Sequence, residues 1–227
     1  SLGVPMKLVP RLALVLLLAA GTCPAIAQPK PDHPPQQSQR EQAQPNGKGV
    51  LRLLPADSAT EHGVDTAQGR LAYTATAGTL PFYDQSGEQS ADVFYVAYIA
   101  KDRGPNRPLT FVFNGGPGAA SAFLNLGLVG PRHLALGPEA KDAANAKLVD
   151  NPDTWLAFTD LVLVDPVGTG WSRAAKGDEA KGFWSVRSDA DAMAKAISLY
   201  VSRNNHAETP IYLLGESYGG FRAAKVA

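Results

Sequence analysis

Residues 211–227 read IYLLGESYGGFRAAKVA, and this stretch decides the fold. Ile211 to Leu214 is a short, uninterrupted apolar run, the composition of a strand covered on both faces. FRAAKVA, from Phe221 to Ala227, reads as the start of a helix. Between them stands Gly215-Glu216-Ser217-Tyr218-Gly219, a G-x-S-x-G. Strand, sharp turn and helix in that order are the setting of a nucleophile elbow. Glycines flank the serine because side chains on so tight a turn would collide. The helix N-terminus favours negative charge developing at the serine. A purely structural turn is the competing reading of the same residues; the context favours Ser217 as a nucleophile.

Working outward, Leu109 to Phe113 (LTFVF) and Leu161 to Val164 (LVLV) are two more continuous apolar runs. With IYLL they suit a parallel sheet covered on both faces. A helix is expected over roughly Ser188 to Asn204, with Ser188 as N-cap and Asp189 and Asp191 in its first turn. Met193, Ile197, Tyr200 and Val201 fall on one face of it, to be packed on the sheet. Further upstream, Arg70 to Ala77, Thr79 to Tyr83 and Asp92 to Ala100 read as antiparallel strands, with a turn at Asp84-Gln85-Ser86-Gly87. Strands alternating with helices give an α/β fold. With the elbow, the expectation is an α/β-hydrolase fold over residues 49–227, cut after the elbow strand.

Two more motifs follow strand ends. Asn114-Gly115-Gly116-Pro117-Gly118 comes directly after LTFVF. α/β-hydrolases draw one oxyanion-hole N–H from the residue after the nucleophile and the other from a loop after an earlier strand. Paired glycines let such a loop approach a substrate oxygen with no Cβ in the way. Asp165-Pro166-Val167-Gly168-Thr169-Gly170-Trp171-Ser172 follows LVLV. It reads as a tight loop at the same edge of the sheet, where ligand sites of open α/β sheets lie. Neither Asp165 nor Ser172 is assigned a catalytic role.

The N-terminus reads as an export signal over residues 1–27, with Met6 a plausible start and Ser1 to Pro5 upstream of it. Lys7 and Arg11 precede the apolar run Leu12 to Ala20, and Ala25-Ile26-Ala27 gives the small-residue cleavage pattern, making Gln28 the mature N-terminus. Residues 28–48 are rich in Gln and Pro, with too little apolar surface to offset their ordering entropy, and read as a disordered spacer. The sole cysteine, Cys23, lies in the signal, so the folded part is expected to have neither disulfides nor thiol chemistry. Lys plus Arg and Asp plus Glu both number 21. That balance argues against a nucleic-acid partner. No membrane contact is expected once the signal is removed.

NGGPG, then NPDTW at Asn151 to Trp155, then DPVGTGWS and GESYGG together resemble the serine carboxypeptidase family, in order and in spacing. The resemblance covers roughly Gly49 to Ala227. It implies a secreted bacterial enzyme, periplasmic or extracellular, that removes C-terminal residues from peptides with a free C-terminus by acyl-enzyme chemistry. Ser217 would attack the scissile carbonyl. The N–H groups of Gly116 and Tyr218 would form the oxyanion hole. Asn114, the backbone of Gly115 and Glu216 would hold the substrate's terminal carboxylate, with Glu216 protonated so that it can donate a hydrogen bond. No cofactor and no metal are implied.

The chain departs from the family pattern in places. Val112 stands where many members have Trp, and Ala119-Ala120-Ser121 where eukaryotic members have Cys-Ser-Ser. An ungapped count puts Leu128 where a second acid often pairs with the elbow Glu. The α/β-hydrolase order is Ser, then Asp, then His. Ten residues follow Ser217, and none is Asp or His. His33, His62, His133 and His206 all precede the serine and are read as structural or exposed. The catalytic Asp and His are therefore expected to be absent from this chain, and the chain by itself inactive. A proline iminopeptidase-like aminopeptidase, an esterase and an inactive truncated fragment remain the alternatives.

Overall fold

The runs LTFVF and LVLV lie side by side in the middle of a mixed sheet. The computed structural model describes residues 49–101, 104, 106–135 and 146–227. The expected export signal and spacer lie outside the described residues. The strands are β1 (Ser58–Thr66), β2 (Gly69–Tyr83), β3 (Gln89–Ala100), β4 (Leu109–Phe113), β5 (Arg132–Ala135), β6 (Lys147–Asp150), β7 (Asp160–Val164), β8 (Arg173–Ala174) and β9 (Ile211–Gly215). The helices are α1 (Ala122–Leu124), which runs on into a π-helical turn at Asn125–Val129, α2 (Val186–Arg203) and α3 (Tyr218–Val226). The main sheet has the order β1-β2-β3-β7-β4-β9, with β8 paired to β3, while β5 and β6 form a separate ribbon. From β1 through β2 and β3 to β7 each strand is antiparallel to its neighbour, and β4 runs parallel to both β7 and β9.

Alternation along the strands sorts side chains to two faces. Phe111, Phe113, Val162 and Val164 point to one face, where they meet Met193, Ala196 and Tyr200 of α2. Val112, Leu161 and Leu163 point to the other, against Leu124, Val129 and Leu156. All five residues of β4 and of β7 are buried. Each fully buried Phe, Leu or Val contributes about 1.5–3 kcal/mol. These two strands therefore concentrate the hydrophobic stabilisation at the point from which the loops of interest emerge. Tyr200 adds edge-on ring contacts to Tyr95 at 5.1 Å and Phe111 at 5.7 Å.

The sequence expectations hold for the central strands and for the α2 core face, and change at four places. β2 is one continuous strand through Gly78, because its ladder with β3 runs unbroken from Tyr73↔Ala100 to Phe82↔Ala91. β1 was not expected, and His62 lies within it: its residues are mostly exposed and polar, and pairing with β2 along its whole length specifies it. α2 is capped by Ser185, not Ser188. The Ser185 Oγ accepts the Ser188 N–H at 3.1 Å, and its carbonyl accepts the Asp189 N–H at 2.9 Å, the first helical bond. β9 is not covered on both faces among the described residues: Ile211 is 40% and Tyr212 59% exposed. The expected turn at Asp84 is present, where one carboxylate oxygen accepts from the Ser86 N–H, the Ser86 hydroxyl and the Glu88 N–H.

Arg107 and Asp160, both nearly buried, pair at 2.7 Å, and the same Asp160 oxygen accepts the Ala100 N–H. This ties the end of β3 to the start of β7. Among the described residues, no helix is long and apolar enough to cross a membrane.

Asp92 on β3 is buried, and burial pushes its carboxyl up to about 6, the nearby Asp57 adding to the effect and a hydrogen bond from Gln89 opposing it. The folded state thus binds this proton more tightly than the unfolded chain does. Its stabilising contribution is complete below the ordinary aspartate value of 3.8 and is lost as pH rises through about 6. Asp92→Asn, which keeps an acceptor for Gln89, should remove this loss. Denaturation midpoints of the variant should fall less than those of the wild type between pH 4 and pH 7.

Candidate active site

β4 and β9 run parallel and in register to their ends, with Phe113 opposite Gly215. Each then turns sharply, and the two turns lie against each other. After β9 the backbone passes through Ser217 at φ 55°, ψ −123°. For a residue with a side chain that conformation costs of order 1–3 kcal/mol. It is held by hydrogen bonds on both sides. The Glu216 N–H donates to the Phe113 carbonyl at 3.2 Å, the Gly219 N–H to the Glu216 carbonyl at 2.8 Å, and the Gly220 N–H to the Ser217 carbonyl at 3.0 Å. The strained residue is therefore fixed by its neighbours, and α3 begins directly behind it.

Two glycines make the close approach possible. A Cβ at Gly219 would stand 2.2 Å from the Phe113 carbonyl oxygen. A Cβ at Gly115 would stand 2.8 Å from the Ser217 Cβ and 3.0 Å from the Tyr218 nitrogen. The NGGPG loop thus rests on the elbow with no room for a side chain. It is closed on itself by the Ala119 N–H donating to the Gly115 carbonyl at 3.1 Å, and Gly116 sits at φ +107°. Among the described residues, neither the Gly116 N–H nor the Tyr218 N–H has a backbone acceptor. They belong to the two segments that meet at this contact.

Of the expected carboxylate-holding groups, Asn114 is buried, and its Oδ1 accepts the Leu124 N–H at 2.9 Å. A backbone donor there requires the amide oxygen to face it, which leaves the amide NH₂ as the group Asn114 can offer elsewhere. Glu216 and Ser217 are both exposed. The Glu216 carboxylate makes no hydrogen bond among the described residues. Val112 is fully buried in the core, so its side chain offers nothing to an open site. Leu128 is 53% exposed in the π-helical turn.

The DPVGTGWS loop is structural. One oxygen of the buried Asp165 accepts the Ser121 N–H at 2.8 Å and the Ser121 hydroxyl at 2.7 Å, and the other accepts the Trp171 N–H at 3.2 Å. The Ser172 hydroxyl donates to the Asp165 carbonyl and accepts the Phe94 N–H. The loops after β4 and β7 are thereby fastened together. NPDTW has a related task. The Asn151 side-chain amide donates to the Leu128 and Gly130 carbonyls, each at 2.8 Å, and the Thr154 hydroxyl donates to the Val129 carbonyl. These bonds satisfy the carbonyls left open where the helical turn ends.

None of the described histidines sits at the elbow. His62 is on β1, at the far edge of the sheet from β9, and stacks on Tyr73. His133 is on β5. His206 bonds Thr209 in the loop that feeds β9, at the end opposite Ser217. Beside the elbow lies a cavity of about 290 Å³ with Pro117, Val167, Trp184 and Tyr218 in its walls and Asp189 and Arg222 among its lining. Arg222 was legible in the sequence only as part of a helix start. Its position four residues after Tyr218, on the same face of a helix, is the signal that marks it.

The sequence pattern of the family described as serine carboxypeptidase matches residues 70–227. A serine carboxypeptidase-like protein of Arabidopsis thaliana is 30% identical over 151 residues, covering 66% of this chain and 32% of that protein. The retinoid-inducible serine carboxypeptidase of Mus musculus is 32% identical over 145 residues, covering 61% of this chain and 29% of that protein. The chain therefore spans about a third of the length of these relatives. Among solved structures, a prohormone-processing carboxypeptidase from Saccharomyces cerevisiae matches with TM-score 0.51 and 25% identity, over 68% of this chain and 33% of that one. These likenesses and the observed topology agree on an α/β-hydrolase fold.

The two helical glycines after the elbow should respond in opposite ways to alanine. Gly219→Ala forces a Cβ into the Phe113 carbonyl and should destabilise by about 3 kcal/mol, the upper range for overpacking. Gly220→Ala, whose Cβ would be 3.4 Å from its nearest atom, should be neutral or stabilising by up to about 1 kcal/mol through helix propensity. Chemical denaturation of the two variants distinguishes them.

Proposed function

Because the chain belongs to the serine carboxypeptidase family, we propose that the protein removes C-terminal residues from peptides through an acyl-enzyme on Ser217. The observation that carries the reading is a serine held in a strained turn between two segments whose N–H groups, at Gly116 and Tyr218, lack backbone acceptors among the described residues. In this reading the Ser217 hydroxyl oxygen attacks the scissile carbonyl carbon while its proton passes to a histidine. The carbonyl oxygen becomes an oxyanion and accepts from the Gly116 and Tyr218 N–H groups. Collapse of the tetrahedral intermediate breaks the C–N bond, and the departing amine takes the proton from the histidine. Water then repeats the sequence and releases the acyl group. No described histidine is placed for this task. The base and the acid that orients it are assigned to the remainder of a longer protein, consistent with a chain that spans about a third of its relatives' length. Residues 1–27 are proposed to direct export to the periplasm or beyond.

Asn114, the Gly115 N–H and Glu216 are assigned to the substrate's terminal carboxylate. Asn114 has the required donor left over once Leu124 has claimed its oxygen. Glu216 stands next to the nucleophile and is exposed. Two adjacent carboxylates are tolerated when one holds a proton, which then becomes a hydrogen bond between them. The reading therefore requires Glu216 to carry the proton when the substrate carboxylate is bound.

The test follows kcat/KM against pH in the intact protein, for a blocked dipeptide with a free carboxylate and for its ester. The free acid should lose ground to the ester as pH rises. Glu216→Gln should flatten the difference, because an amide donates at every pH. Ser217→Ala should lower kcat by on the order of 10⁶-fold for both substrates. Identical pH profiles for acid and ester, unchanged in Glu216→Gln, would remove the carboxypeptidase reading in favour of another hydrolase activity, such as that of an esterase. Cleavage that requires a free amine instead would identify an aminopeptidase.

A further inference from the structure

Arg222 is 1% exposed, and a guanidinium so placed must be matched in charge and in hydrogen bonds. Asp189, in the first turn of α2, supplies the opposite charge, with Nε donating to Oδ2 at 2.8 Å. The other arms of the fork reach elsewhere. Nη1 donates to the Asn114 carbonyl at 2.7 Å and Nη2 to the Pro117 carbonyl at 3.4 Å. The guanidinium carbon lies 5.1 Å from the centre of the Tyr218 ring. Asn114 and Pro117 bracket Gly115 and Gly116. Tyr218 opens α3, and Arg222 stands one turn later on it. A single side chain thus touches both segments that carry the free N–H groups.

We infer that Arg222 is a positioning residue for acylation of Ser217, setting the Gly115–Gly116 loop against the elbow, and that Asp189 orients it. The inference rests on the assignment of Ser217 as nucleophile made above. Asn114's carbonyl shares its peptide plane with the Gly115 N–H, and Pro117's carbonyl with the Gly118 N–H. Bonding both carbonyls holds the 114–115 and 117–118 peptide planes, which bracket the part of the loop that carries the Gly116 N–H. That loop contains consecutive glycines, one at positive φ, which leave its backbone intrinsically free, so its placement depends on bonds such as these and on the Ala119 N–H to Gly115 carbonyl closure. The planar fork matters, because lysine has no rigid geometry with which to serve a carboxylate and two carbonyls together. An ion pair whose only task was to fill the interior would not need to reach the loop at both ends.

The experiment uses the intact protein and a fluorophosphonate probe, which reports a reactive serine whatever the peptide specificity. Labelling rates per folded molecule and thermal midpoints are compared for wild type, Arg222→Lys, Arg222→Met and the double variant Arg222→Met with Asp189→Leu, with Ser217→Ala as the blank. The double variant removes both buried charges, so it separates lost positioning from the instability of an unpaired carboxylate. It should keep a midpoint near that of the wild type and label on the order of 10²-fold more slowly, the effect of roughly 1 Å of misplacement. Arg222→Lys should fall between. A double variant that labels at the wild-type rate overturns the proposal. If the double variant does not fold, a folded Arg222→Lys that labels at the wild-type rate overturns it equally. A wild type that labels at Ser217 but leaves free-acid peptides intact ends the carboxypeptidase reading and leaves the Arg222 comparison standing. A wild type whose Ser217 resists the probe overturns both.

Discussion

The close approach of two backbone turns, one after β4 and one after β9, is the constraint on which the rest of this structure depends. The parallel register brings Phe113 and Gly215 level, so both strands end at the same height and their turns must share one space. The solution is to delete side chains at the contact. Gly115 lies on Ser217 and Tyr218, and Gly219 lies on the Phe113 carbonyl. Once the segments are this close, the elbow has little freedom. Ser217 is held at a φ that an isolated serine would avoid, and the residue is exposed.

The buried charges follow a consistent pattern around this contact. Asp160, Asp165 and Asp189 are each buried, and each is satisfied by groups from another part of the chain. Desolvation makes an unpaired buried carboxylate strongly unfavourable, so such residues persist where they hold segments together. Asp160 ties β3 to β7, Asp165 ties the two loops after β4 and β7, and Asp189 reaches α3 through Arg222. Glu216 contrasts with them: it is exposed, with no hydrogen bond among the described residues, beside the serine. Burial and bonding separate the acids that hold the fold from the acid left exposed beside the serine.

The cavity beside the elbow belongs to the same arrangement. Its lining comes from the loops after β4 and β7, from the approach to α2 and from the start of α3. Four chain segments distant in sequence converge there because the sheet order places β7, β4 and β9 side by side.

Much of this was legible in local sequence, where short-range chemistry suffices. Apolar runs specified β4 and β7, the glycine spacing around Ser217 specified the elbow, and Asn114 to Gly118 specified a tight loop, because each depends on neighbours within a few residues. The failures share the opposite cause. β1 is a polar segment that becomes a strand only through its pairing with β2. The α2 cap moved to Ser185 because backbone geometry, not residue preference, chooses between two serines three residues apart. Arg222 had no visible role in a helix start, since its partners Asp189, Asn114 and Pro117 are 33 to 108 residues away. The sequence by itself determined the α/β architecture, the sharp turn at Ser217 and the loop that faces it, since those rest on apolar patterning and on positions where only glycine fits. The tertiary structure alone decided which acids are fasteners and which is open, and that a buried arginine joins the two halves of the site, because burial and long-range hydrogen bonds exist only once the sheet has brought distant segments together.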